Sequence, residues 1–351
     1  MNASVQLPST IPAPASAMFD TSKPIRALLA GAGIQDLLNI DGVTEVAINR
    51  PKELWYEKGS VWTRQDAPRL DFDLCMKLAR SLAVQVASDS QQLQQSPICP
   101  VLLPDGERGQ IVVPPATERN CVSLTIRKPS DVRFSLDDYA ESGRLSGYSV
   151  VEKKGDIEPF EKEMVMCIKR GDLKKFFHIA VQNKLNIVFG GATGSGKTTA
   201  MKAIVDIYPT NRRYITIEDI HELSMPNHPN RVHLFFGPHI TAKKLVESCM
   251  RMKGDHIFMS ELKGDETWSY LSLLNTGHSG SLTTAHFNDC ASAPARLAQM
   301  VKQSDVGMTL DYDFIYRTVQ TSIDVVGFWK GSYLKEIRYE PEEKLRLLNG
   351  E

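Results

Sequence analysis

The sequence predicts an α/β protein of two domains, an α+β domain followed by a domain built on a mostly parallel sheet. Three observations support this fold class. Short alternating strands separated by glycine and proline turns fill residues 43–129, strand candidates alternate with helices from residue 166 onwards, and a glycine-rich loop at 191–198 joins one such strand to a helix. Strands that alternate with helices are typical of parallel sheets with helices on both faces.

Composition and charge are those of an ordinary globular chain, and 351 residues are enough for two domains. The 41 basic and 42 acidic residues give a net charge of −1, which argues against a protein that mainly coats nucleic acid. The six cysteines include no C-x-x-C pair, which disfavours a structural zinc site and a disulfide framework. The sequence has no apolar run of roughly 20 residues and no signal-peptide pattern, so we predict a cytoplasmic protein with at most peripheral membrane contact.

The N-terminal part divides into a tail and a first domain. Residues 1–22 are rich in Pro, Ser and Ala and have no helical or strand period, so we predict a flexible tail. Residues 23–129 are predicted to form the α+β domain. It opens with helical spacing after Pro24, continues as a strand pair at 43–59 and an amphipathic helix at 71–87, and ends in further short strands.

A long linker is predicted at residues 130–165, which are polar, contain three glycines and end in a charge cluster. Its length would let the first domain of one subunit pack over a neighbouring subunit. Residues 166–351 form the predicted second domain. Its strand candidates are NIVFG (186–190), RYITIED (213–219), RVHLFF (231–236), HIFMSEL (256–262), SLTTAHF (281–287) and IDVVGFW (323–329). Helix candidates follow the glycine-rich loop and lie at 241–252, 266–276, from about Ala293, and near 311–321.

The glycine-rich loop matches the P-loop pattern G-x-x-x-x-G-K-[ST]. Its glycines let successive N–H groups point at phosphate oxygens, and the following helix begins at the phosphates with its positive end. Lys197 would neutralise the β- and γ-phosphates, and Thr198 would offer its hydroxyl to Mg²⁺. The pattern therefore predicts an ATP and Mg²⁺ site. The residues assigned to it are Gly191, Ala192, Thr193, Gly194, Ser195, Gly196, Lys197, Thr198 and Thr199.

Two acidic positions follow strand candidates of the second domain. Glu218, with Asp219 and Glu222, ends one strand, and Glu261 ends another. Ligands collect at the carboxyl ends of parallel strands, so these acids are expected beside the P-loop, where they could hold Mg²⁺ or orient the attacking water. The alternatives stay open: Glu218 could belong to a solvated acidic turn that caps a helix, and a glutamate after a strand is common.

Histidines and arginines supply the remaining candidates. His278 and His286 flank a short strand after a pliant loop with two glycines, and one of them is expected to hydrogen-bond near the γ-phosphate unless both are ordinary satisfied histidines. A metal site is disfavoured, because neither has a nearby Cys or a helical i,i+4 partner. Transition-state charge in phosphoryl transfer usually draws an arginine, for which the candidates are Arg108, Arg127 and Arg251.

Four ordered motifs resemble the secretion ATPase superfamily of type II secretion, type IV pili and type IV secretion. The P-loop is similar to its Walker A motif, 215–223 to its Asp box, 256–264 to its Walker B motif and 276–286 to its His box. The segments RMKGDHIFMSELKG and GERGQIVVPP…LTIRKPS resemble the type IV secretion branch. The four-cysteine zinc module of many type II secretion and pilus ATPases is absent from the sequence, which favours the same branch.

The resemblance implies a RecA-like C-terminal domain, a homo-hexameric ring, and partners among the inner-membrane and coupling components of a type IV secretion system. It also implies peripheral association with the inner membrane and no sequence-specific nucleic-acid binding. Arg108 and Arg127 match arginines that reach phosphate from the N-terminal domain. Glu218 and Glu261 match catalytic acids, which with Thr198 would hold Mg²⁺ partly through water. The second histidine of the His box, His286, is matched as well.

One departure from the family pattern concerns the Walker B motif, where Lys263 stands in place of the usual arginine. Another is Gly254, where the family usually has proline. A lysine cannot reproduce the planar fork of a guanidinium. Three alternatives to a type IV secretion ATPase stay open from the sequence: a type II secretion or pilus-assembly ATPase, a RecA-like nucleic-acid motor, and a nucleotide-sensing assembly protein without turnover.

Overall fold

The computed structural model describes residues 22–87, 92–129, 133–150, 153 and 155–351. The predicted tail at 1–22 lies outside these residues except for Ser22, and so do residues 130–132, 151–152 and 154 of the predicted linker. The predicted boundaries of the two domains and of the linker stay predictions. None of the helices in the described ranges is long and apolar enough to cross a membrane.

A six-stranded antiparallel sheet forms the N-terminal half of the described chain, in the order β3-β2-β1-β6-β5-β4. Its elements in chain order are α1 (Ser22–Gly31), α2 (Ile34–Leu38), β1 (Val43–Ile48), β2 (Glu53–Lys58), β3 (Val61–Asp66), α3 (Phe72–Ala87), α4 (Gln92–Gln95), β4 (Ile98–Leu102), β5 (Arg108–Val112) and β6 (Ser123–Arg127). The sequence does not predict β3, because only Trp62 of this edge strand is buried and no apolar alternation marks it.

Three helices follow the first sheet and precede the second in the order of the chain: α5 (Leu136–Glu141), α6 (Pro159–Arg170) and α7 (Leu173–Gln182). Helix α5 has no buried residue, and its N-terminus is capped reciprocally by Ser135 and Asp138. Helix α6 begins inside the predicted linker with a proline in its first turn. Its buried residues Met164 and Cys167 pack in the same core as α7, so this helix is part of the C-terminal half.

A seven-stranded sheet in the order β13-β12-β7-β11-β10-β8-β9 forms the C-terminal half; all its pairs are parallel except β12 with the edge strand β13. Its elements in chain order are β7 (Ile187–Gly190), α8 (Lys197–Val205), β8 (Tyr214–Glu218), β9 (Arg231–Phe235), α9 (Ala242–Cys249), β10 (His256–Met259), α10 (Glu266–Leu274), β11 (Leu282–Ala285), α11 (Ala293–Lys302), α12 (Asp305–Thr309), α13 (Tyr312–Ser322), β12 (Val325–Lys330), β13 (Tyr333–Arg338) and α14 (Pro341–Leu348). This architecture confirms the predicted fold class.

Both faces of the parallel sheet are covered, which explains why its strands are nearly continuous apolar runs. In β10, Ile257 and Met259 face one core, whereas Phe258 faces the other. The same alternation holds in β7, where Val188 faces the first core and Phe189 the second. With both faces buried, the carboxyl ends of the strands are left as the edge at which polar side chains gather.

The N-terminal half packs along the edge strand β9 and near the amino end of β8. Phe235 N donates to Ala116 O at 2.9 Å, and Thr117 Oγ1 donates to His233 O at 2.8 Å. The guanidinium of Arg213, the residue before β8, crosses between the halves and donates to Thr125 Oγ1 at 3.0 Å. These contacts hold the antiparallel sheet against one side of the parallel sheet.

Candidate functional site

The P-loop occupies the turn between β7 and α8, at the carboxyl edge of the parallel sheet. Two of its glycines are required by space and backbone shape. Gly191 has φ 145°, and a Cβ there would lie 2.3 Å from Trp329 O, while a Cβ at Gly196 (φ 93°) would lie 3.0 Å from Ser332 Cα. A side chain at either position would therefore collide with the β12–β13 hairpin. The predicted glycine-rich turn is thus tightly enclosed by backbone.

Lys197 lies inside the curve of this loop. Its Nζ donates to Gly191 O at 2.8 Å and to Ala192 O at 3.0 Å. The side chain is buried, and burial lowers the pKa of its ammonium. Both partners are neutral carbonyls, so a phosphate oxygen would be a stronger partner for this buried cation.

An open cleft of about 1430 Å³ lies in front of the loop. Four segments line it: 193–199 of the P-loop and α8, 219–222 after β8, 260–261 after β10, and Thr284 with His286 at the end of β11. Ser332, in the turn between β12 and β13, completes the lining, and its N donates to Ser195 O at 3.0 Å. Segments distant in sequence converge here because the strands that carry them are parallel neighbours.

Glu261 and His286 form the closest polar pair in this lining. His286 Nε2 lies 2.6 Å from Glu261 Oε1, and its Nδ1 lies 2.9 Å from Gly191 O. Both partners are acceptors, so the ring satisfies both contacts when each nitrogen carries a proton. The second carboxylate oxygen, Glu261 Oε2, lies 3.3 Å from Lys263 Nζ. Lys263 Nζ also lies 2.6 Å from Asp219 Oδ2, so this lysine links the loop after β10 to the loop after β8.

Glu218 is placed differently from the other predicted acid. Its side chain is fully buried and does not line the cleft. Its Oε2 accepts from the backbone N of Glu222 at 2.7 Å and of Leu223 at 2.8 Å, and its Oε1 accepts from Thr216 Oγ1 at 2.7 Å. Direct contact of Glu218 with Mg²⁺ or water stays a prediction, and it would require these bonds to change.

The predicted arginines Arg108 and Arg127 are brought together, but they lie away from the cleft. They are direct cross-strand partners in β5 and β6. Arg127 Nε lies 3.9 Å from the buried Glu45, which also interacts with Lys253 just before β10. Arg127 is therefore near the amino ends of the parallel strands, whereas the P-loop is at their carboxyl ends. Within one chain these arginines do not reach the cleft.

Two further candidates lie elsewhere. His278 Nδ1 bonds to Gly254 O at 2.8 Å, before the start of β10, and burial lowers the pKa of its imidazole. Arg251 is exposed in the turn after α9. Neither lines the cleft. Of the two histidines considered, the structure brings only His286 to the P-loop.

The sequence analysis assigned no role to several residues that line the cleft, and His221 and Ser332 are two of them. His221 stands between the acids Asp219 and Glu222, three positions after Glu218, and this spacing was the available signal. Ser332 was missed because β13 was not predicted, although a Gly-Ser pair between alternating segments indicates a hairpin turn.

The lining fits a bound phosphate and its metal. The buried hydroxyl oxygens of Ser195 and Ser260 have no hydrogen-bond partner among the described residues, and both residues line the cleft. Buried polar atoms are normally paired, so these two are ready to bond to a ligand or its waters. Thr198 and Glu261 in the same lining supply the oxygen atoms that Mg²⁺ prefers.

The chain is similar over most of its length to proteins of type IV secretion systems. The profile of a family described as Type II/IV secretion system protein matches residues 163–327. The Type IV secretion system protein VirB11 of Brucella abortus is 39% identical over 320 residues, which cover 87% of this chain and 87% of the relative. VirB11 of Bartonella henselae is 34% identical over 338 residues, covering 90% and 94%.

A solved structure agrees with the sequence comparisons. The crystal structure of the VirB11 ATPase from the Brucella suis type IV secretion system, in complex with sulphate, matches this fold with a TM-score of 0.85 at 38% sequence identity. The match covers 92% of this chain and 99% of that one.

Proposed function

The chain belongs to the VirB11 family of type IV secretion system ATPases, and we propose that it hydrolyses Mg-ATP in a cleft whose two walls come from two copies of the chain. Membership confirms the family predicted from the four ordered motifs, and with it an ATP-hydrolysing enzyme. The observation that carries the proposed site is the convergence of Lys197, Glu261 and His286 on one cleft.

Each cleft residue has a task that follows from its position. The P-loop backbone from 191 to 199 wraps the phosphates, and Lys197 exchanges the carbonyls of Gly191 and Ala192 for phosphate oxygens. Glu261 holds Mg²⁺ through water or directly, beside Thr198. When bound, Mg²⁺ neutralises charge that develops on the phosphate oxygens. His286 fixes the Glu261 carboxylate relative to the loop through its two hydrogen bonds.

The second wall of the cleft is assigned to another copy of the chain. Arg108 and Arg127 carry exposed cations on one face of the antiparallel sheet, and their own P-loop lies at the opposite end of the parallel strands. In a ring, the N-terminal half of one subunit would present these arginines to the nucleotide of its neighbour. We propose a homo-hexamer on this basis, with closure on ATP and opening after phosphate release.

Within the cell, the proposed place of this ring is the cytoplasmic face of the inner membrane, at a type IV secretion apparatus. Hydrolysis-driven domain motion would power translocation of a substrate or assembly of a pilus. Partners are expected among the inner-membrane and coupling components of the apparatus. A nucleic-acid motor is the rival, and it would require ATP turnover to rise when single-stranded nucleic acid is added at low salt.

Two variants test the hydrolytic site. Lys197→Ala should reduce ATP turnover to background, and Glu261→Gln should bind ATP normally but turn over at least about 100-fold more slowly. Lys174→Ala, an exposed lysine on α7, is the matched control and should behave as wild type. Phosphate release and binding of a fluorescent nucleotide measure the two effects. Turnover at the wild-type rate in Lys197→Ala or Glu261→Gln would contradict the assignment.

Mixing inactive subunits tests the shared site. Arg127→Ala and Lys197→Ala should each be inactive, but a mixture reassembled from both should regain activity. Some sites in the mixture would combine Lys197 of one chain with Arg127 of another. If each site uses only its own chain, the mixture stays inactive. Particle mass of the wild type, with and without phospholipid, reports the ring and its membrane contact.

A further inference from the structure

A cluster of polar side chains lies directly behind the cleft, around the buried carboxylate of Glu218. His221 Nδ1 lies 3.4 Å from Glu218 Oε1, and His233 Nδ1 lies 3.7 Å from the same atom. Of the three side chains, Glu218 and His233 are buried, whereas 40% of the His221 side chain is exposed. The cluster thus has one member that reaches from the interior to the cleft.

The buried members have a fixed hydrogen-bond order. Arg231 Nε donates to His233 Nε2 at 3.2 Å, and His233 Nδ1 lies 2.8 Å from Thr216 Oγ1. Since an arginine can only donate, His233 carries its proton on Nδ1 and donates to the Thr216 hydroxyl. The hydroxyl in turn donates to Glu218 Oε1. Burial lowers the pKa of His233 to about 3, which agrees with a neutral ring.

This order argues against a metal ion at the cluster, although the ligand atoms of Glu218, His221 and His233 lie within 4.8 Å of one another. A histidine that binds a metal through Nδ1 presents a proton on Nε2 to an acceptor. Here Nε2 of His233 faces the N–H of Arg231 instead. Metal binding would leave two donors facing each other, so the cluster is better suited to hold His221 in place.

His221 is positioned from two sides. Its ring contacts those of His233 (centroids 4.5 Å apart) and Phe235 (5.6 Å apart), and its Nδ1 faces the Glu218 carboxylate. No described residue forms a hydrogen bond with its Nε2. The ring lines the same cleft as the P-loop and Glu261. A histidine in this setting offers one nitrogen to a ligand while the other is held by the protein.

We propose that His221 is a further catalytic residue, which hydrogen-bonds through Nε2 to the water that attacks the γ-phosphate, and that Glu218 acts by positioning it. The inference rests on the proposed function of this cleft. It assigns Glu218 a role compatible with its burial and with its hydrogen bonds to Thr216, Glu222 and Leu223, and His221 is the cleft residue that this carboxylate faces. It also divides the work at the cleft, because Glu261 is already held by His286 and Lys263.

Replacement of the His221 imidazole tests the proposal. His221→Phe keeps the packing against His233 and Phe235 but loses the ring nitrogens, and we expect kcat to fall about 100-fold. The dissociation constant of a non-hydrolysable ATP analogue should change less than about twofold, because only the attacking water is affected. His221→Asn retains a hydrogen-bonding group and should recover a measurable part of kcat. His239→Phe, at an exposed histidine outside the cleft, is the control and should match wild type.

Coupling to the buried carboxylate is measured with Glu218→Gln. If Glu218 acts through His221, the double variant Glu218→Gln/His221→Phe should lose no more kcat than the more damaged single variant. Fully additive losses would contradict the positioning role. Thermal unfolding of each variant identifies any that is not folded, and His221→Asn provides a second reading at the same position.

The outcomes distinguish a failure of the role proposed for His221 from a failure of the proposed ATPase function. If His221→Phe turns over ATP at the wild-type rate while Lys197→Ala is inactive, the inference is wrong and the ATPase site stands. If wild type and Lys197→Ala are both inactive, the proposed function itself fails. Loss of nucleotide binding together with kcat in His221→Phe would overturn the role in orienting water. Zinc retained at one equivalent by the wild type after desalting, and lost in His221→Phe, would assign a metal site instead.

Discussion

His286 Nε2 and Glu261 Oε1 lie 2.6 Å apart, and this pair joins two strand ends to the P-loop. The other nitrogen of His286 contacts Gly191 O, the carbonyl to which Lys197 also donates. A phosphate that draws Lys197 away from this carbonyl therefore changes the surroundings of His286 and Glu261 at once. In the proposed site, the pair would connect occupancy of the P-loop to the Glu261 carboxylate.

Removal of the His286 imidazole should impair ATP turnover more than ATP binding. His286→Ala frees the Glu261 carboxylate and leaves Gly191 O with one donor fewer, so we expect kcat to fall by about 100-fold while KM changes only a few-fold. Steady-state phosphate release checks this, with His239→Ala as the control. A KM effect without a kcat effect would contradict the positioning role.

A methyl group at the first P-loop glycine should destabilise the protein. In Gly191→Ala the new Cβ would lie 2.3 Å from Trp329 O, at a φ of 145° that alanine rarely adopts. We expect a loss of about 2–4 kcal/mol in the free energy of unfolding and of nucleotide binding with it. Gly237→Ala, with open space around its Cβ, is the matched control in a urea titration. Equal stability of the two variants would refute the steric argument.

The buried guanidinium of Arg213 should hold the two halves together. Its NH1 donates to Asn49 Oδ1 at 2.7 Å and its NH2 to Thr125 Oγ1, and burial lowers its pKa to about 10. Arg213→Ala leaves these acceptors unpaired and should cost about 3–5 kcal/mol of unfolding free energy. The neighbouring, partly exposed Arg212→Ala should cost under about 1 kcal/mol in the same denaturation experiment. Similar losses would mean that the bridge contributes little.

Glu45 should make stability depend on pH. Burial raises its pKa from 4.5 to about 7 in the folded protein, so the folded state binds the proton more tightly than the unfolded state. Stability from this group is full below about pH 4.5 and is lost as pH rises through about 7. Glu45→Gln removes this ionisation. Its advantage over the wild type in the free energy of unfolding should therefore be larger at pH 8 than at pH 5, by about 1–3 kcal/mol. Melting temperatures of Glu45→Gln and of the exposed control Glu247→Gln at the two pH values check this; parallel curves would exclude the effect.

Much of the site follows from local sequence. The G-x-x-x-x-G-K-[ST] pattern fixed the loop 191–198 between a strand and a helix, because its glycines and its lysine serve a purely local geometry. Glu261 and His286 also follow, since each stands where an apolar run ends, and the ends of parallel strands meet at one edge. The fold class followed from the alternation of strands with helices, which needs no knowledge of contacts.

Tertiary structure decided what depends on residues distant in sequence. Glu218 and Glu261 look alike as acids after strands, yet one is enclosed by backbone N–H groups and the other faces the cleft. The separation of Arg127 from its own P-loop depends on how the antiparallel sheet packs against β9, through residues such as Thr117 that carry no motif. By itself the sequence determined the P-loop and the class of protein, because these depend on local pattern. Which side chains share the cleft was decided by packing between distant segments, where burial and hydrogen bonding overrule residue type.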